Sequence, residues 1–177
     1  MKVAITGTPG TGKTSVASFL AGKGYKIESF DGLAKNFIVG YDEDRKCDIV
    51  DTEVMDKALG NENEGGIVFI DGHLSHLLSV DFSIVLRCNP SELEKRLEAK
   101  KWDKVKIGEN LEAEAMDIIL LQACDMHEGH VIEIDTTNRK AREIAEEIDK
   151  IAEDGFTGVK TGKVDWCEWL MEHAGQI

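Results

Sequence analysis

The chain has 177 residues and a formal net charge of −13, a length that suits one core domain with room for a small insert or tail. The acidic balance disfavours broad phosphate-driven attraction to DNA or RNA and makes a basic protein the easier partner. No apolar stretch approaches the ~20 residues needed to span a bilayer, so a cytoplasmic protein that does not enter membranes is expected.

In chain order, Lys2 to Thr6 reads as a short buried strand, and Gly7-Thr8-Pro9-Gly10-Thr11-Gly12-Lys13-Thr14 follows it directly. This run completes G-x-x-x-x-G-K-[ST], the phosphate-binding P-loop. Glycines at 7, 10 and 12 let successive N–H groups face an anion. Nucleotide contacts are therefore expected from Gly10, Thr11, Gly12, Lys13, Thr14 and Ser15, with Lys13 on the β and γ phosphates and Thr14 on Mg²⁺. The helix that follows carries Val16, Phe19 and Leu20 at helical spacing before Gly22 and Gly24.

Tyr25 to Phe30 reads as a second strand, and Gly32 to Asn61 as a polar, irregular stretch containing a helix over Thr52 to Leu59. This is the natural place for an acceptor-binding insert. Ile67 to Ile70, after the turn Glu64-Gly65-Gly66, and Phe82 to Leu86 read as buried strands. Pro90 opens a helix through Leu93 and Leu97, Leu111 to Met126 a longer one, Val131 to Ile134 the last strand and Arg139 to Ala152 the last core helix. The alternation predicts a doubly wound α/β fold with a parallel sheet. From Gly155 to Gly162 a glycine-punctuated linker leads to Val164 to His173, where Trp166, Trp169 and Leu170 share one helical face. That face can dock on the chain's own core or on a partner. Cys47, Cys88, Cys124 and Cys167 lack any zinc-like spacing and read as reduced packing residues.

Two further features carry chemistry. Asp71 ends a strand where a P-loop enzyme needs a carboxylate opposite Thr14 for the magnesium water shell, although Asp71-Gly72 also suits a plain turn. His73, two residues on, can orient a water or take a proton, and is a better candidate than His76, His127, His130 or His173, although its spacing equally suits a satisfied loop histidine. Arg96, Lys100, Lys101, Lys104 and Lys106 concentrate positive charge. They read either as a solvated face balanced by Glu92, Glu94 and Glu98 or as a clamp over phosphates.

Taken with the P-loop, the segments Gly40-Tyr41-Asp42-Glu43, Asp71-Gly72-His73, Arg96-Leu97 and Lys101-Trp102 through Glu109-Asn110 resemble the adenylate kinase isoenzyme 6 family. This family is also called the coilin-interacting nuclear ATPase and has archaeal members. The resemblance spans about residues 1 to 152. It implies a P-loop nucleoside monophosphate kinase fold over residues 1–154, with an acceptor-binding insert at about 32–61, a short lid at about 98–110 and a tail over 155–177. It implies Mg²⁺-dependent transfer from ATP to AMP, ATPase activity, and a role in small ribosomal subunit maturation through a basic ribosomal protein. Lys13, Asp71, His73, Lys100 and Lys101 are then catalytic, Arg96 and Asn138 join the ATP contacts, and Asp31 and Lys35 bind AMP. The family usually carries Gly-Asp and an arginine at the acceptor site, where this chain has Asp31-Gly32 and Lys35, and a lid arginine where it has Lys100. Lysine lacks the planar two-pronged donor, so weaker AMP turnover is expected while hydrolysis suffers less.

Overall fold

The computed structural model describes residues 1–43, 46–60, 65–158 and 161–173. Asn61, which closes the expected insert, Glu64 of the expected turn, Val159 and Lys160 of the linker and residues 174–177 lie outside them. The apolar run Val3-Ala4-Ile5 forms β1 (Lys2–Thr6), the middle strand of a five-stranded sheet. Its neighbours are β2 (Lys26–Ser29), β5 (Val68–Asp71), β6 (Phe82–Arg87) and β7 (Val131–Asp135), in the order β2-β5-β1-β6-β7. Every pairing is parallel.

Alternation along β1 explains why both faces are covered. Val3 and Ile5 point to one face, where Phe69, Ile84, Leu86, Ile132 and Ile134 meet Val16 and Leu20 of α1 (Lys13–Gly22) and Ile144 and Ile148 of α7 (Ala141–Glu153). On the opposite side, Val85 packs with Leu120 and Ala123 of α6 (Ile118–Met126), and Ile70 with Phe30, Met55 and Leu78. The doubly wound sheet follows. Among the described residues, no helix is long and apolar enough to cross a membrane.

Four expectations need correction. Phe30 leaves the second strand and opens α2 (Phe30–Ala34), because the Ser29 hydroxyl accepts from Gly32 N at 3.3 Å and caps a helix there. Phe19 does not join the core face of α1 and is 46% exposed. The stretch after α2 holds an antiparallel hairpin of β3 (Ile38–Asp42) and β4 (Cys47–Val50) before the expected helix, α3 (Thr52–Leu59). The expected helix over 111–126 is two helices, α5 (Lys104–Ala115) and α6, broken at Asp117 with φ 58°. The buried Arg87 guanidinium accounts for that break. Its Nη2 donates to the Glu114 carbonyl at 3.0 Å and also binds the Asp117 carboxylate, turning the chain where a continuous helix would run.

The tail packs on the core. Phe156 is buried and stacks on Phe82 with centroids 4.6 Å apart. In α8 (Cys167–His173), Trp169 is 8% exposed and packs against Leu93 and Leu97 of α4 (Pro90–Ala99) and Ile107 and Leu111 of α5. Its indole N–H donates to Ser91 Oγ at 2.9 Å. Of the two docking surfaces open to the tail, the chain's own core is the one occupied.

Candidate active site

The site begins at the C-terminal end of β1, where the chain must turn sharply into α1. Gly7, Gly10 and Gly12 have φ of 132°, 100° and 102°, a region that side chains resist. At Gly7 a Cβ would also drive into the Leu86 carbonyl oxygen. The loop therefore wraps closely on β6, and Gly12 delivers the chain into the first turn of α1. Lys13 is 9% exposed, and its ammonium donates to the carbonyls of Gly7 at 2.6 Å and Thr8 at 3.0 Å. Burial lowers its pKa to about 8, against the opposing pull of Asp71. A phosphate beside it would restore the charged form.

Asp71 lies one strand over, registered against Ile5 of β1. Burial pushes its carboxyl pKa up, while a hydrogen bond from Thr14 and the charge of Lys13 pull it down. Oδ1 of Asp71 is buried and has no hydrogen-bond partner, a costly state unless a ligand supplies one. His73 projects from the following loop with its pKa lowered by desolvation and by Lys13. Its neutral ring is the form that can accept a proton.

These groups share one cleft of about 1590 Å³. Thr8, Gly10, Gly12, Lys13, Thr14, Ser15, Asp31, Asp71, His73 and Lys100 all line it. Thr11 supports it from behind, buried and bonded through Oγ1 to the Thr8 carbonyl at 2.9 Å. Four further expected contacts do not line it either. Lys35 lies in the 3₁₀ turn after α2, and Lys101 occupies the left-handed turn that ends α4 with φ 59°. Arg96 binds Glu92 Oε1 at 3.2 Å and the Thr136 carbonyl at 3.0 Å, bracing the loop after β7. Asn138 is exposed in that loop with φ 54°.

Residues 3–117 match the AAA domain family. Over 177 residues the chain is 42% identical to the "Putative adenylate kinase" of Archaeoglobus fulgidus, covering all of this chain and 96% of that relative. The protein of the same name from Pyrococcus abyssi is 43% identical, over 95% of this chain and 92% of the relative. The chain belongs to this adenylate kinase family. Its fold is also that of more distant solved kinases. Shikimate kinase from Acinetobacter baumannii superposes with TM-score 0.61 at 14% identity, covering 88% of this chain and 94% of that one. Deoxyadenosine kinase from M. mycoides superposes with TM-score 0.58 at 15% identity, covering 87% and 100%. The family resemblance read from the sequence and the kinase-like α/β fold are both borne out.

In this member of the adenylate kinase family, part of the cleft wall comes from residues that the sequence placed only within the expected lid or clamp, or, for Ala113, not at all. Lys106, Glu109, Asn110 and Ala113 line it from α5, and their spacing of three and four residues puts them on one helical face. The signal was Asp103, whose carboxylate caps the helix by accepting from Lys106 N at 3.0 Å; an aspartate before a periodic run marks a helix start. Lys46 and Cys47 line the cleft from the hairpin. Nothing in their local sequence set them apart.

Proposed function

We propose that this protein is a cytoplasmic, Mg²⁺-dependent nucleoside monophosphate kinase that transfers phosphate from ATP to AMP and also hydrolyses ATP. One observation carries this reading: Lys13, Thr14, Asp71 and His73 converge on a single cleft of about 1590 Å³. That exceeds the ~300–1,000 Å³ of ordinary small-molecule sites and leaves room for a donor and an acceptor together. The names of the archaeal relatives support AMP as the acceptor.

Thr14 and Asp71 fit a magnesium ion, since both offer hard oxygen and the Asp71 Oδ1 is buried without a partner. Among the described residues no cluster of three or more His, Cys, Asp or Glu could hold a metal, which suits an ion held by one or two protein oxygens, phosphate and water. Bound there, magnesium would neutralise charge on the phosphates. Lys13 steadies the transferring phosphoryl group, and the backbone N–H groups of Gly10 and Gly12 hold its neighbours. His73 orients the attacking group, a phosphate oxygen of the acceptor or a water, and can take the proton when water attacks. Asp31 starts the acceptor side and Lys100 faces the phosphates from the cleft wall. Catalysis is then mostly placement and charge.

A role in small ribosomal subunit maturation, through a basic ribosomal protein, belongs to the same reading. The net charge of −13 supports such a partner, and its binding should weaken as salt rises. The deciding assay follows ADP formation from ATP with each nucleoside monophosphate, and phosphate release without one. AMP-dependent ADP formation above every other acceptor is expected. Equal turnover with no acceptor, or a stronger response to another acceptor, would overturn the AMP assignment.

A further inference from the structure

The P-loop is tied to the C-terminal segment through two buried carboxylates. Thr8 Oγ1 donates to Glu114 Oε2 at 2.5 Å. The other oxygen, Oε1, accepts from Arg87 Nε at 2.8 Å, Cys88 N at 3.0 Å and the Trp166 indole N–H at 3.4 Å. Arg87 Nη1 donates onward to Glu133 Oε1 at 2.7 Å. Glu133 Oε2 in turn accepts the backbone N–H groups of Lys163 at 2.9 Å and Val164 at 3.3 Å. Glu114 and Glu133 are 2% and 6% exposed, and Arg87 is 1% exposed.

We propose that Glu114 is a positioning residue of the nucleotide site and that the docked C-terminal segment acts through it to set nucleotide affinity. This rests on the reading of the P-loop as that site. The Thr8 carbonyl receives the Lys13 ammonium at 3.0 Å and the Thr11 N–H at 3.2 Å. Fixing the Thr8 side chain therefore fixes the acceptor around which Lys13 and the loop backbone are arranged. Glu114 can do this only while its carboxylate is held still and dry. The segment contributes on both counts: Trp166 supplies a donor to Glu114, Trp169 packs over α4 and α5, and the backbone at 163–164 satisfies the far end of the network. Undocking would admit water to both carboxylates and weaken every polar bond in the chain. Arg87 stays charged throughout, since Glu114 and Asp117 more than offset the effect of its burial.

A double-mutant cycle tests the link. The full-length protein is titrated with a non-hydrolysable ATP analogue, well below the melting temperature of each variant, and KM and kcat are measured alongside. Thr8→Val, which keeps shape and removes the hydroxyl, should weaken binding about tenfold, the scale of losing one hydrogen bond to a charged group. Thr8→Ser should restore most of the loss. Trp169→Ala, which touches neither Glu114 nor the cleft, should weaken binding severalfold, chiefly in KM. The double variant should bind no worse than Thr8→Val alone. Should Trp169→Ala fail to fold, Trp166→Phe takes its place in the cycle under the same criteria, since it keeps a packed ring and removes the donor. Effects that multiply, or unchanged affinity in the tail variant, overturn the proposal while leaving the nucleotide-site reading intact. No analogue binding by the native protein overturns both.

Discussion

The two walls of the cleft are built on different principles. On the P-loop wall, position is fixed by backbone and by buried polar bonds: Thr8 and Thr11 are each 1% exposed, and the loop glycines hold left-handed angles. On the hairpin wall, Ile38, Val39, Tyr41 and Ile49 are 44%, 66%, 52% and 48% exposed, and Lys46 and Cys47 reach the cleft from a two-stranded ribbon with no sheet neighbours among the described strands. The P-loop wall is held by the core, whereas the hairpin wall stands largely outside it. Order of this kind is what a preorganised phosphoryl-transfer site needs, and freedom of the other kind suits a wall that admits and releases an acceptor.

The sharpest way to break this contrast is to alter the ordered wall. Lys13→Ala and Asp71→Ala should each lower turnover by about 10²–10³-fold or more, the scale of removing one preorganised charged or donor group, with little change in melting temperature. Steady-state rates and thermal denaturation check both at once. Near-native rates in either variant would sink the mechanism. Arg87→Met probes the support beneath that wall. It leaves Glu114 and Glu133 buried without their cation, so unfolding free energy should fall by about 3–5 kcal/mol. Denaturant titration reads this, and a loss under ~1 kcal/mol would show that the carboxylates find other partners or water.

The same contrast governs what could be read from the sequence. The P-loop, Asp71 and the core strands were legible because each follows from a local rule: glycine at positive φ, a carboxylate ending an apolar strand, short apolar runs between turns. Val68–Asp71 and Val131–Asp135 lie within a residue of their expected bounds. The hairpin was not legible, since a ribbon exposed on its apolar positions shows no buried alternation for periodicity to detect. The break between α5 and α6 was hidden for another reason. It depends on Arg87 arriving from β6, 30 residues away from Asp117 in the chain, and no window on Leu111 to Met126 contains that partner. Glu114 carries no local mark that sets it apart in a chain with 34 acidic residues, and only the tertiary fold buries it.

A smaller effect sharpens the acceptor side. Lys100 lines the cleft and Lys35 does not, and both stand where the resemblance read from the sequence leads one to expect arginine. Replacing both with arginine should raise AMP-dependent ADP formation a few-fold while changing acceptor-free hydrolysis less, because the planar fork grips a phosphate with two donors. Testing the single variants separates the positions: Lys100→Arg should supply most of the gain. An equal rise in hydrolysis would show that the added grip acts on ATP rather than on the acceptor.

The smallest expected effect concerns a buried histidine at the end of β1. His76 is fully buried, with Nδ1 2.9 Å from Thr6 Oγ1 and Nε2 3.2 Å from Gln122 Oε1. Burial holds its pKa below the ordinary 6.5, Gln122 opposing and the neighbouring His127 and His73 adding to the depression. The folded protein therefore keeps this ring neutral where the unfolded chain has begun to protonate. The sign follows from linkage: below pH 6.5 the unfolded state binds the extra proton first, so the group's contribution is present above that pH and is lost as pH falls. Each pH unit can remove at most ~1.4 kcal/mol through one such group. Melting temperature measured from pH 7.5 down to 5.5 should thus fall less steeply in His76→Gln than in the native protein, even though the variant starts lower. Parallel melting curves for the two proteins across that range would assign the acid sensitivity to other groups and leave His76 a packing residue.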